Sequence, residues 1–555
     1  MSILNYFVII IFFVVIIFAG LSFKKCGSDM KSYFAAGGEV PWSISGLSLF
    51  MSFFSAGTFV VWGSIAYEFG FVAVTIQLTM CFGGFVVAYY IAPGWKRTNS
   101  LTAAEFVRKR LGYRTQKFYT YLILILSLIY TGAFLYPVAK IVNVSTGVSI
   151  EACILILGLV ILLYTVVGGL WAVIITDVLQ FIILTAAVLI VVILSVDSVG
   201  GISEFIEKAP DNFFNITSSE YNIWFLVAFA IYNTIFIGGN WAYVQRYTSV
   251  KSPKDAKKVG LLFGWLYLLS PLVWMLPPMI YRVINPQLSG LENEGAYLLV
   301  CKQVLPTGML GLMLGGMIFA TASSVNTTLN LAASVITNDL YKVACPNATI
   351  KSVMQVAKLS TLFFGLATIV VALLVPAAGG IVNVVLSIGA VTGCSLYGPP
   401  IWALFSKRHT GKSILLITTF SLAINIAVKF LAEPLAGASL SRASEMLLGA
   451  ILPLAMLLAY EIYAIVTKSV SQEFIDFKQN LVIEKAAAAE KKEKSEQNIF
   501  GLKVLAVTLA IVGIIIVVLG GLAESSKGLV ISVGGIIFII ATIIHPQLKI
   551  KNFTK

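Results

Sequence analysis

The sequence predicts an all-α protein that crosses a membrane about fifteen times, and three observations carry that prediction. Hydrophobic residues make up 59% of the chain and charged residues only 11%, against about 25% charged in an ordinary soluble domain; mean hydropathy is +0.94. Long apolar stretches recur along all 555 residues, each sufficient to cross a roughly 30 Å hydrocarbon core as a helix. Runs such as Leu122–Ile129 are apolar on every face, which excludes the two-residue alternation of a membrane β-barrel.

In order, the spans read 3–23, 40–66, 71–93, 118–146, 150–170, 172–196, 220–247, 259–284, 305–340, 354–376, 382–406, 412–432, 444–467, 503–522 and 528–546. Basic residues collect after odd-numbered spans: Lys24, Lys25 and Lys31 after the first, Lys96 to Lys117 after the third, Lys251 to Lys258 after the seventh, and Lys407, Arg408 and Lys412 after the eleventh. The Asp197–Glu220 loop is acidic. The net charge of +13 is therefore a positive-inside pattern, with the N-terminus outside, and no nucleic-acid footprint. The first segment has no basic n-region and no small-x-small cleavage site, so it reads as an uncleaved helix. Six cysteines are scattered without a CxxC, and His409 and His545 are the two histidines. Neither a disulfide framework nor a zinc site is legible, and no nucleophile–base pair marks an enzyme.

The organisation that follows is an accessory helix and loop over 1–39, a first unit over 40–196 and an outer loop with a second unit over 197–406. Two further helices occupy 407–467, a charged linker 468–502 and a final hairpin with its tail 503–555. Charge parity puts the linker in the cytoplasm, as a solvated helical stretch with i,i+4 pairs.

Two spans are interrupted. The second carries SLFMSFFSAGTF over Ser48–Phe59, polar and small at its middle; the seventh carries AIYNTIFIGGNW over Ala230–Trp241, with two glycines and two asparagines. Five spans separate them, so they run in opposite directions. Interrupted helices in corresponding places point to a binding site between inverted repeats, because unwound backbone at membrane depth persists where it lines a cavity. The bland reading is that Gly and Ser let helices pack closely; the matched pair favours function.

Polar residues add to this. Asp177 lies in an otherwise apolar span, where an unpaired carboxylate costs at least ~2.5–3.5 kcal/mol; it marks an ion path or caps a helix start near the interface. Ser323, Ser324, Asn326, Thr327, Thr328 and Asn330 crowd one stretch of the ninth span. Such a density of neutral oxygens suits a hard cation, the alternative being hydroxyls bonded back to their own helix. Lys140 either attracts an anionic solute or snorkels to the interface.

These segments together resemble the sodium/solute symporter family, which includes sodium/galactose, proline, sialic-acid, iodide and monocarboxylate transporters. The resemblance rests on GGLWAVIITDVLQ over Gly168–Gln180, NWAYVQR over Asn240–Arg246, the Ala320–Asn330 stretch and the second span, and covers about residues 3–467. It implies the leucine-transporter fold, with two inverted five-helix repeats over about 40–196 and 220–406. It implies a sodium site formed by the carbonyls of Met51, Phe54 and Ala320 with the hydroxyls of Ser323 and Ser324. A second sodium would use Asp177, Ser323, Asn326 and Thr327, with Asn326 standing where relatives place a hydroxyl. For the solute, the resemblance implicates Ser55, Thr58, Gln77, Tyr130, Asn233, Tyr267 and Gly389, and places Phe236 as an aromatic gate. Asn233 agrees with the sugar-binding branch. Gly389 stands where sugar binders carry Gln, and Tyr130 where sialic-acid binders carry Arg.

The expected activity is sodium-coupled import of a small polar organic solute across a plasma or inner membrane, leaning to a monocarboxylate or a sialic-acid-like anion. A neutral sugar or polyol is the alternative within the family. A transporter-like membrane sensor is the alternative outside it, and its related chains carry large soluble domains that this linker is too short to be. Sodium ions, the solute and the bilayer are the expected partners, with no cofactor beyond transported sodium.

Overall fold

The computed structural model describes residues 2–22, 38, 40–100, 102–164, 170–341, 345, 347–436, 440–488, 497–523 and 525–544. Lys24, Lys25, Lys31, Gly168, Gly169 and His545 lie outside them. Among the described residues, nine helices are long and apolar enough to cross a membrane, a tenth is a bent pair, and five shorter helices are apolar.

The first unit contains a broken helix, α2 (Trp42–Met51) and α3 (Gly63–Phe69), then α4 (Val72–Arg97), a short amphipathic α5 (Ala103–Leu111), α6 (Tyr113–Thr146), α7 (Ile150–Tyr164) and α8 (Leu170–Ser198). An accessory α1 (Ile3–Leu21) precedes it. After a short α9 (Ile202–Lys208), the second unit repeats the order: α10 (Ile223–Gly239) and α11 (Trp241–Thr248), then α12 (Pro253–Ile284), a short α13 (Ala296–Val304), α14 (Met309–Val335), α15 (Ile350–Leu374) and α16 (Ile381–Phe405). The chain continues as α17 (Gly411–Ala436), α18 (Arg442–Val466), α19 (Gln472–Ala488), α20 (Gln497–Leu522) and α21 (Lys527–Ile544).

Packing sorts the repeats into two bodies. The broken helices α2/α3 and α10/α11 pack with α4 and α12, while α6, α7, α14 and α15 pack with one another. Small residues set the close contacts in the first body. A Cβ on Gly83 would sit 3.0 Å from the Thr234 amide, and one on Gly260 2.7 Å from the Ala88 Cα. Helices approaching this closely gain dispersion contacts where lipid supplies no hydrophobic drive. The α20–α21 hairpin is a pair of the same kind, its backbones meeting at Gly513 and Gly534, and it packs against α1 and α8.

The charged linker differs from its expected solvated form over its first half. α19 docks on α5, where the Phe477 and Phe106 rings meet edge to face at 5.8 Å. Glu473 accepts a 2.7 Å hydrogen bond from the Gly411 amide. Phe474 and Phe477 supply the apolar face that draws it down, and the Arg110 guanidinium lies 5.2 Å over the Phe474 ring.

Candidate ion and solute site

Both helix breaks have local causes. After Met51, hydrogen bonding shifts to a turn in which the Phe54 amide reaches the Met51 carbonyl at 3.2 Å. Helical structure resumes at Ala56, and in this turn Thr58 Oγ1 donates to the Phe53 carbonyl at 2.7 Å and accepts from the Ser55 amide at 3.2 Å. Short side chains thus hydrogen-bond freed backbone groups that lipid would leave bare. The Ala56 amide is tied to α14 through Thr321 Oγ1 at 3.0 Å. In the second unit Asn240 interrupts the helix, its Oδ1 capping the Ala242 amide at 3.0 Å, and the two halves bend by 59°.

Beneath the breaks lies a cavity of about 120 Å³. Its polar wall is Ser52, Ser127, Asp177, Asn240, Arg246, Ser324 and Thr328; its aromatic wall includes Tyr130, Phe236, Trp241, Tyr243 and Tyr397. Arg246 belongs to α11, which leads into the basic 251–258 segment, and Ser127 to the half of α6 that begins at the basic 108–117 segment. The cavity therefore occupies the basic end of the protein.

Two of the expected ion ligands, Ser324 and Asp177, meet here. Ser324 Oγ lies 3.4 Å from the Ala320 carbonyl, to which it donates. Met51 and Phe54 are buried, with the Phe54 ring stacked 3.9 Å from Trp274. The side chains of Ser323, Asn326 and Thr327 lie outside the described ones.

Asp177 is paired, which the lone-carboxylate reading leaves out. Ser48 Oγ donates to its Oδ2 at 2.6 Å and Arg246 Nη2 to the same oxygen at 3.4 Å. The signal was present in the NWAYVQR segment, whose Arg246 is a charge inside an otherwise weakly polar helix; the 69 residues between the two hid the partnership. Ser48 and Thr321 were likewise inside quoted segments without an assigned role.

Among the solute residues, Ser55, Thr58, Gln77 and Asn233 are all buried. Asn233 Nδ2 donates to Thr79 Oγ1 at 2.8 Å, joining α10 to α4, whereas the Gln77 amide nitrogen has no hydrogen-bond partner among the described residues. Tyr130 bonds Thr392 at 3.1 Å and, with Phe236, lines the cavity. Phe236 packs within 6.0 Å of Phe53 and 5.6 Å of Tyr243. Like Ser55, Thr58, Gln77 and Asn233, Tyr267 does not line the cavity; it sits among Phe50, Phe263 and Trp274. A Cβ on Gly389 would meet the Tyr232 hydroxyl at 3.1 Å, and one on Gly393 the same ring at 2.2 Å. Tyr232 thus fills the space above both glycines.

The far end carries a second buried acid, Glu294, in the Gly290–Gly295 turn. Its Oε1 accepts from the Ile381 amide at 2.9 Å and its Oε2 from Tyr136 at 2.8 Å. Lys140 does not line the cavity: its Nζ donates to the Leu291 carbonyl at 3.0 Å and lies 3.9 Å from Glu294. The neighbouring Asn293 donates to Glu68 at 3.1 Å. One turn thus ties the end of α3 to α6 and α16, and Asp177 is not the sole buried acid of the core.

This arrangement of broken helices between two bodies matches known proteins. A solved structure of a sodium-coupled sialic acid symporter, substrate-bound and outward-open, superposes with a TM-score of 0.69 over 85% of this chain and 99% of that one, at 22% identity. That likeness establishes the leucine-transporter-type fold. The sodium/glucose cotransporter of Vibrio parahaemolyticus is 26% identical over 78% of this chain and 86% of its own length. The sodium/sialic acid symporter of Proteus mirabilis is 25% identical over 65% and 76%. The family profile for sodium:solute symporters matches residues 33–416, a stretch that holds both broken helices, Asp177 and the hydroxyl-rich α14. On that match, the chain belongs to the sodium:solute symporter family.

Proposed function

We propose that this protein imports a small carboxylate or a sialic-acid-like anion together with sodium, by rocking the body that holds the broken helices against the other around a midplane site. Met51, Phe54, Ala320, Ser323 and Ser324 hold one sodium, and Asp177, Ser323, Asn326 and Thr327 a second. Ser55, Thr58, Gln77, Tyr130, Asn233 and Phe236 meet the solute; Tyr267 braces Phe50 and Phe53 from behind. The basic loops face the cytoplasm and the N-terminus lies outside.

The observation that carries the substrate reading is Tyr232, whose ring occupies the space over Gly389 and Gly393. A sugar-binding Gln at 389 would press its Cβ on the end of the Tyr232 ring at 3.1 Å, which has to give by a few tenths of an ångström to admit it, and this favours a smaller or differently shaped solute. The Gln77 amide, 1% exposed and without a hydrogen-bond partner among the described residues, supports a solute with acceptor oxygens, since a buried donor left alone costs about 1–3 kcal/mol.

Energetics tie substrate charge to ion number. One sodium entering at about −100 mV yields ~2.3 kcal/mol, and a tenfold gradient adds ~1.4 kcal/mol. The sum concentrates a neutral solute roughly 500-fold. For a monoanion the potential term cancels and about tenfold remains, so anion uptake calls for the second ion.

Proteoliposomes with an imposed sodium gradient and a panel of labelled lactate, sialic acid, proline and glucose test this. Accumulation of an anion with two sodium ions is the expected result; glucose uptake in preference to the anions overturns the substrate reading. Gln77→Ala and Asn233→Ala are each expected to raise the half-saturating solute concentration about tenfold, while sodium-dependent thermal stabilisation persists. Unchanged solute affinity in both variants would misplace the pocket.

A further inference from the structure

We propose that Arg246 is an internal counter-ion that takes over Asp177 as sodium leaves, making ion release and the joining of three helix segments one event. The proposal rests on the reading of Asp177 as a ligand of the second sodium.

The two side chains are 4% and 9% exposed, and in such surroundings a carboxylate needs a cation beside it. Two cations compete for the place. Arg246 is oriented towards it by three bonds, as Nη1 donates to the Ala242 carbonyl at 3.0 Å, Nε to Ser48 Oγ at 3.2 Å, and Nη2 to Asp177 at 3.4 Å. Its own carbonyl accepts from Ser45 Oγ at 2.8 Å. Ser48 is shared, accepting from Arg246 and donating to Asp177. The cluster therefore pins α11 to α2 and to α8 at the basic end.

Three features make the pairing exchangeable. The 3.4 Å contact is longer than the ~2.7–2.9 Å of a tight charge-assisted bond. Both bonds to Asp177 converge on Oδ2, and among the described residues Oδ1 accepts none, while Asp177 and Ser324 line the same cavity. Finally, Arg246 rides on α11, which meets α10 at the 59° bend of Asn240, so the guanidinium can withdraw with its helix without unfolding it. Sodium on Asp177 repels the guanidinium; sodium departing admits it. The arriving charge then holds the acid against recapture of the ion from the cytoplasmic side.

Sodium-dependent thermal stabilisation of the purified full chain reads this without requiring turnover. Arg246→Gln removes the competitor, so the half-stabilising sodium concentration is expected to fall by about tenfold, with slower net uptake because sodium leaves reluctantly. Arg246→Lys is expected to restore part of the wild-type value. Should Arg246→Gln fail to accumulate, Ser48→Ala loosens the same pairing with both charges kept, and should shift the sodium response in the same direction. Lowered stability with an unchanged sodium midpoint in either variant makes Arg246 a structural partner and overturns the proposal. Asp177→Asn separates this outcome from failure of the two-ion reading. It is expected to lower the Hill coefficient for sodium from about two toward one, two ions being the stoichiometry that an anion requires. If Asp177→Asn weakens the sodium response and Arg246→Gln leaves it alone, the counter-ion falls and the site stands. If neither variant moves it and the wild type responds with a coefficient of one, the site itself falls.

Discussion

Replacing both Ser323 and Ser324 with alanine is expected to abolish sodium-driven uptake while leaving a folded protein in the membrane. Adjacent residues on a helix point about 100° apart, so two neighbouring hydroxyls serve one narrow helix contact poorly but can both reach an ion nested beside the α2 break. Ser324 already stands next to the Ala320 carbonyl and in the same cavity as Asp177 and Ser52. The energetic asymmetry decides the outcome. In the empty state the Ser324 hydroxyl makes one long bond to its own helix, so its loss costs the fold well under about 1 kcal/mol. On the proposed assignment each hydroxyl replaces a water in the ion's shell in the occupied state, and the membrane offers no substitute. Uptake measured against sodium concentration, alongside the amount of folded protein by size-exclusion chromatography, checks this. Retained uptake with an unchanged half-saturating sodium concentration would sink the assignment.

Opening of the far end should depend as strongly on Glu294. Glu294→Ala leaves the Ile381 amide and the Tyr136 hydroxyl without their acceptor, a loss of about 1–3 kcal/mol for each. The sealed state should therefore lose about tenfold or more in population, and Ser55→Cys in that background should label faster with an impermeant thiol reagent added outside. Equal labelling rates would show that other contacts hold this end. Glu294→Gln should stay sealed, since an amide can accept from Ile381 and donate to Tyr136.

The same carboxyl predicts a pH effect. Burial raises its pKa above the usual carboxylate range, opposed by its bonds to the Ile381 amide and Tyr136 and by the nearby Lys140 charge. When the turn lifts away and water reaches the group, its pKa returns toward the ordinary value. The sealed state thus binds the proton more tightly than the open state. Acid favours sealing, and the advantage disappears as pH rises through the raised pKa. Uptake should slow as the external pH falls from neutral toward about 5, and Glu294→Gln should flatten that dependence. A slope unchanged by the substitution would assign it to another group.

Much of this protein was legible along the chain, because lipid imposes strong local rules. A helix that must satisfy its own backbone in hydrocarbon announces itself as an apolar run, and a break in it needs Gly, Ser, Thr or Asn nearby. The opposed breaks at Ser52–Ser55 and Asn240 could therefore be read from composition and order alone. Partnerships could not. Asp177 meets Arg246 across 69 residues, and Glu294 meets Tyr136 across 158. Tyr232 fills the room above Gly389 from another helix. No local rule specifies which buried charge neutralises which, because the Coulomb energy depends on separation in space and helix packing alone sets that separation. The sequence determined that ions and a solute cross here; the tertiary structure decided that Arg246 and Ser48 meet Asp177, and that one buried carboxylate ties α6 to α16 at the opposite end.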